Sequence, residues 1–100
     1  MTTISAMNAP IAIRHDPAGQ CFETQVAGLR CELLYELSDA VMRIHHTEVP
    51  PSLEGRGLAG ALAHAALSHA RAQGWRVQPS CSYVRSYMRR HPETLDLLVS

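Results

Sequence analysis

The chain reads as an α+β domain built on a mixed, mainly antiparallel sheet, and three observations carry that reading. Between Gln20 and Leu37 apolar residues recur at every second position, interrupted by a short turn signal. From Gly57 to Gln73 the apolar spacing changes to three and four, which is a helical period. A short strand and a second helical stretch then follow. A strand meander followed by a β-α-β crossover requires a sheet with both strand orientations.

In order, residues 1–10 are small or polar and end at Pro10, so a flexible N-terminus is expected, with residues 11–100 forming a single domain. Ile11 to Arg14 reads as a short strand closed by the turn sequence Asp16-Pro17-Ala18-Gly19. Next, Phe22, Thr24 and Val26 share one strand face, with Cys21, Glu23 and Gln25 on the other. Ala27-Gly28 reverses the chain into the clearest alternation, with Leu29, Cys31, Leu33, Tyr35 and Leu37 opposite Arg30, Glu32 and Glu36. Ser38-Asp39 turns it again into a fourth strand from Ala40 to Val49. Its parity fails around His45-His46-Thr47-Glu48, which a β-bulge explains. Pro50-Pro51 ends it by removing two ladder donors.

The helix that follows is rich in alanine and stops at Gly74. Trp75 to Gln78 is a short strand ended by Pro79, and a last helix is expected from Ser82 to His91, closed by Pro92. Leu95, Leu97, Leu98 and Val99 make a final apolar segment expected to dock on the sheet.

Composition bounds the function. One hundred residues, 46% hydrophobic and 18% charged, make one folded domain. No apolar run approaches the roughly 20 residues of a membrane span, and the N-terminus lacks the basic and apolar parts of a secretory signal. A cytoplasmic protein, monomeric or weakly dimeric, is the expectation. Cys21, Cys31 and Cys81 form no paired motif, which favours reduced thiols over a disulfide framework or zinc ribbon. Six histidines do not gather at ligand spacing, so no metal site is expected. Charge is uneven: residues 1–54 carry three arginines against seven acids, and residues 55–92 carry six arginines and no acid. Such a basic half suits an anionic ligand, although solvated arginines alone account for it equally well.

Gly55-Arg56-Gly57-Leu58-Ala59-Gly60 spells G-x-G-x-x-G, but it follows a meander and no acid appears before Glu93, so it is not a dinucleotide fingerprint. A chain without lysine also excludes the ATP-binding lysine loop. What survives is physical. Small residues at a helix mouth offer free N–H groups and a positive dipole end, which suits phosphate. The competing reading is a helix start packed closely on a sheet.

The run Glu54-Gly55-Arg56-Gly57-Leu58-Ala59, placed after a strand and a Pro-Pro loop, resembles the acetyl-CoA pyrophosphate motif of the GCN5-related N-acetyltransferase (GNAT) superfamily. Gly57 and Ala59 match it, while Glu54 stands where the motif has Gln or Arg. With His46 to Pro50, Pro79 to Val84 and Tyr87 to Pro92, the chain is similar to the compact GNAT-like group of about a hundred residues over positions 11–99.

The resemblance implies a sheet whose fourth and fifth strands splay around acetyl-CoA. It implies that backbone N–H groups of Arg56 to Gly60 hold the pyrophosphate with Glu54 and Gly55 beside them in the cofactor site, that Thr47 and Val49 meet the pantetheine arm, and that Arg85, Arg89 and Arg90 meet phosphates. A primary amine would accept the acetyl group. Glu48 is a candidate general base, and His46 shares its strand face if no bulge separates them. Cys81 stands just before a helix, where a thiol is activated, and is a candidate nucleophile or an inert buried thiol. Tyr87 is a candidate proton donor to the leaving thiolate, or a core aromatic. A CoA-binding module without catalysis is the first alternative. An arginine-rich nucleic-acid binder is a weaker one.

Overall fold

A computed structural model of the chain describes residues 2–6 and 9–99, with side chains from residue 11 onward. Six strands form one sheet in chain order: β1 (Thr2–Ala6), β2 (Ala9–Asp16), β3 (Cys21–Val26), β4 (Leu29–Ser38), β5 (Val41–Glu48) and β6 (Arg76–Pro79). The first five pair antiparallel, and β6 lies parallel to β5 after the helix α1 (Leu58–Gln73) has crossed over. A second helix, α2 (Ser82–Arg90), is followed by the 3-10 segment Pro92–Leu97. The last residues do reach the sheet: Leu98 bridges Val77 in parallel, and Val99 N–H donates to Val77 O at 3.0 Å. Of the apolar side chains in that segment, only Leu97 is buried.

One end of the chain differs from the sequence reading. Where a frayed terminus is expected over residues 1–10, the backbone of Thr2–Ala6 pairs antiparallel with β2, which itself begins at Ala9. Pairing satisfies peptide groups that a free end leaves to water, and Thr2, Thr3 and Ile4 are β-branched. Positions 1, 7, 8 and 100 lie outside the described residues. The expected turn is present, with Gly19 N–H donating to Asp16 Oδ1 at 3.1 Å.

Strand register sorts the side chains into two unlike faces. Phe22 lies opposite Leu33, and Tyr35 opposite Ile44, on the face that α1 covers. Alanines at 61, 63, 65, 66 and 70 of α1 are buried there, and their small size lets the helix lie close to the sheet. On the other face Arg14 pairs across to Glu23, Glu23 to Glu32, and Glu36 to Arg43. No helix covers this side among the described residues. Glu23 is nevertheless buried, because Arg14 and Arg30 lie over it; the Arg30 Nη2 to Glu23 Oε2 distance is 2.6 Å. Alternation in β3 is therefore hidden: Cys21, Phe22, Glu23 and Thr24 are all buried.

At the β2–β3 end of the core, His15 stacks on Phe22, meets the edge of His69, and shares a 2.6 Å hydrogen bond with the buried Tyr35 hydroxyl. Desolvation, then repulsion from His69, hold His15 below its ordinary value of 6.5. A histidine lowered on folding makes the unfolded chain the better proton acceptor, so this contribution is complete above 6.5 and is lost as pH falls below it. Urea midpoints measured at about pH 7.5 and about pH 5.5 should show the loss, and His15→Gln should narrow the difference. Tyr35→Phe should cost about 1 kcal/mol, the worth of one hydrogen bond. An undiminished pH difference in His15→Gln would contradict this reading.

Candidate functional site

The site begins at a change of parity in β5. Leu34 lies opposite His46 while Tyr35 lies opposite Ile44, so His45 is an extra, bulged residue. Met42 and Ile44 face the helix layer before it, and Thr47, opposite the buried Leu33, faces that layer after it. The bulge expected around His45 is thus present. It precedes both His46 and Glu48, so those two share the open face, with His46 Nε2 3.1 Å from Glu48 Oε1.

Beside the bulge, β5 and β6 part. Their pairing ends at Ile44 and Pro79, and Ile44 O then accepts both Ser80 N–H at 2.9 Å and Cys81 N–H at 3.0 Å. Past that point His46, Thr47 and Glu48 pair only with β4 among the described strands.

The chain then passes through a 3-10 turn, Pro51–Leu53, whose Leu53 is buried as an anchor. Gly55 (φ +82) and Gly57 (φ +77) follow in left-handed conformations that an L side chain resists. Gly57 caps α1, whose first backbone hydrogen bond is Ala61 N–H to Gly57 O at 3.0 Å. The N–H groups of Leu58, Ala59 and Gly60 therefore have no partner within the helix. The first turn also holds no acidic residue.

These two features enclose one cavity of about 410 Å³, within the usual range for small-molecule sites. Thr47 of β5 and Val49 just beyond it line one side, and Leu53, Glu54, Gly55, Gly57, Leu58, Ala59 and Gly60 line it from the loop and helix mouth. Tyr83 of α2 completes it. Of positions 54–60 on the loop and helix mouth, the structure gathers all but Arg56 around one space; Arg56 is exposed.

The remaining candidates divide. Cys81 is half-buried at the N-cap of α2, and its thiol donates to Thr47 Oγ1 at 3.6 Å, beside the cavity. Tyr87 does not line the cavity. It is buried and stacked on His91 at 4.1 Å, whereas Tyr83, one turn earlier, does line it. Burial raises the pKa of both phenols, opposed at Tyr83 by the nearby Arg90 guanidinium. The spacing of the two tyrosines was visible in the sequence, but which one faces the opening depends on the pitch of α2 against α1.

Arg85 donates to Pro79 O at 3.1 Å and Arg90 to Ser86 Oγ at 2.9 Å, and neither they nor Arg89 line the cavity. The acid-free stretch is also less free than it reads. Arg71 grips Asp96 through two bonds of 2.9 and 2.8 Å, and Arg76 donates to Asp96 O at 2.7 Å. On the open face the fold brings Glu32, His46 and Glu48 together, each offering one ligand atom, all within 4.8 Å of one another. Sequence spacing could not show this, because Glu32 comes from the neighbouring strand.

Gly57 and Gly60 should respond differently to alanine. A Cβ at Gly60 meets Tyr83 Oη at 3.5 Å and Tyr87 Cε2 at 3.9 Å, which are ordinary contacts, so Gly60→Ala should leave urea stability unchanged or raise it slightly. Gly57→Ala should cost about 1–2 kcal/mol through its left-handed backbone. Equal effects would contradict the capping geometry.

Comparison with known proteins agrees with this architecture. The family model of the GCN5-related N-acetyl-transferase matches residues 21–97. Protein NATD1 of mouse and of human are each 34% identical over 86 residues, covering 83% of this chain and 78% and 76% of theirs. The solution structure of a GCN5-like protein from Staphylococcus aureus superposes with a TM-score of 0.70 at 24% identity, covering 89% of this chain and 88% of that one, which is a likeness of fold. This chain therefore belongs to the GCN5-related N-acetyltransferase family.

Proposed function

We propose that the chain transfers acetyl from acetyl-CoA to a primary amine. The observation that carries this is the single cavity lined both by β5 beyond its last tie to β6 and by the uncapped mouth of α1. The residues present fit the thioester substrate. Three N–H groups with no partner within the helix, at its N-terminus, suit a diphosphate, and glycines leave room for it against the backbone. Thr47 and Val49 offer an unpaired strand edge to an amide-bearing arm, in the manner of an added strand. Glu54 lines the rim, and Arg56, Arg85, Arg89 and Arg90 are the candidate charges for the phosphates.

In the reaction the amine nitrogen attacks the thioester carbonyl carbon, the C–S bond breaks, and the amine proton leaves to Glu48, directly or through His46. The departing sulfur takes a proton from a phenol. Tyr83 is the better placed donor, because it lines the cavity and burial keeps it protonated. Cys81 donates its S–H to Thr47 in this structure, which favours direct transfer with Cys81 shaping the acetyl end. The free thiols fit the cytoplasm.

A second reading, CoA binding with little turnover, draws on one observation: no helix among the described residues walls the face that carries His46 and Glu48. Nucleic-acid binding loses ground because Arg71 and Arg76 are engaged with Asp96.

Calorimetry with acetyl-CoA should show binding that Gly57→Glu abolishes, and no binding at high micromolar ligand would remove the proposal. Given turnover, Tyr83→Phe should lower kcat by about a hundredfold and Tyr87→Phe by much less. Intact-mass measurement with acetyl-CoA and no acceptor should show no acetylated Cys81; its accumulation would replace direct transfer with a covalent route.

A further inference from the structure

We infer that the acceptor is an alkylammonium with no carboxylate beside its nitrogen, received on the open sheet face by Glu32, His46 and Glu48. This rests on the acetyl-transfer reading and adds to it the charge of the substrate.

The first ground is a cost that the fold accepts. The register sets Glu32 directly opposite Glu48, and like charges in that relation destabilise a strand pair. Arg30 Nε, 3.2 Å from Glu32 Oε1, offsets part of the charge, but the same guanidinium also serves Glu23. Glu48 has only His46 among the described residues. A site short of positive charge is complementary to a cation.

The second ground is size. The three acceptor atoms lie within 4.8 Å of one another. One ammonium with N–H···O distances of about 2.8 Å spans acceptors about 4.6 Å apart, which lies inside that limit once His46 Nε2 gives up its 3.1 Å contact with Glu48 Oε1.

The third ground is position. His46 and Glu48 flank Thr47 on the strand that lines the cavity, and they face outward while Thr47 faces in. Since β6 has already left β5, no strand among the described residues flanks that edge of β5 there. His46 and Glu48 side chains are 46% and 62% exposed, so an amine on a flexible chain can reach them. The same pair that binds the ammonium takes its proton: R–NH3+ and the acetyl thioester give the acetamide, the free thiol and one proton. A carboxylate on the α-carbon of the acceptor would sit against Glu32 and Glu48 and be repelled.

The test compares n-butylamine with norvaline, the same chain without and with an α-carboxylate. Release of CoA thiol is measured for the native protein and for Glu32→Gln, and backbone amide shifts are recorded for each amine without acetyl-CoA. Butylamine should exceed norvaline in kcat/KM by about tenfold or more. Glu32→Gln should shrink that ratio by raising the KM for butylamine with kcat little changed. Amide shifts for butylamine should centre on residues 32 and 46–48. Equal use of norvaline, or a ratio untouched by Glu32→Gln, would overturn the inference. Butylamine shifts at those residues without thiol release would uphold the ammonium site and remove acetyl transfer. Neither shifts nor release would remove both.

Discussion

One carbonyl oxygen decides where the sheet opens. Ile44 O accepts hydrogen bonds from Ser80 and Cys81, and these are the last ties between β5 and β6. Directly after them the chain turns into α2 at Ser82, which carries it away from β5. The bulge at His45 makes the opening usable, because without it the residue at 47 would face outward and the cavity would lose its β5 side chain. Strand divergence alone would expose peptide groups. Divergence together with a parity change supplies a lined cleft.

The opposite wall follows from the helix that the crossover requires. Covering a sheet with α1 demands a close approach, and its alanines permit it. The left-handed Gly55 and Gly57 turn the chain sharply enough to bring the helix mouth beside Val49. Leu53, buried between the prolines and the glycines, pins that loop. The helix mouth proposed to hold phosphate is thus a by-product of how a parallel crossover starts, placed next to a gap that the sheet creates for its own reasons.

Much of this was legible in the sequence. Alternation, turn residues and the shift to helical spacing located every strand and α-helix from β2 onward to within a few residues, and the lost parity after Ile44 marked the bulge. The loop motif and its family were readable for the same reason: glycines with positive φ leave few alternatives. Other features depend on pairs distant in the chain. Burial of Glu23 is decided by Arg14 and Arg30, and engagement of Arg71 by Asp96. Convergence of Glu32 on Glu48 is decided by cross-strand register. Strand β1 was missed because its short, small-residue sequence has no apolar period; pairing with β2 defines it. That Tyr83 rather than Tyr87 lines the cavity could not be read, since a one-turn difference in which ring faces the opening leaves no mark on spacing.

The central claim is that the divergence of β5 from β6 and the mouth of α1 form one ligand site. Backbone amide shifts on titration with CoA test it most directly, because they report place as well as affinity. The account predicts the largest changes at residues 55–60 together with 47–49, and little change on β2 and β3. Changes confined to the arginines of α2, or spread over the open sheet face, would contradict it.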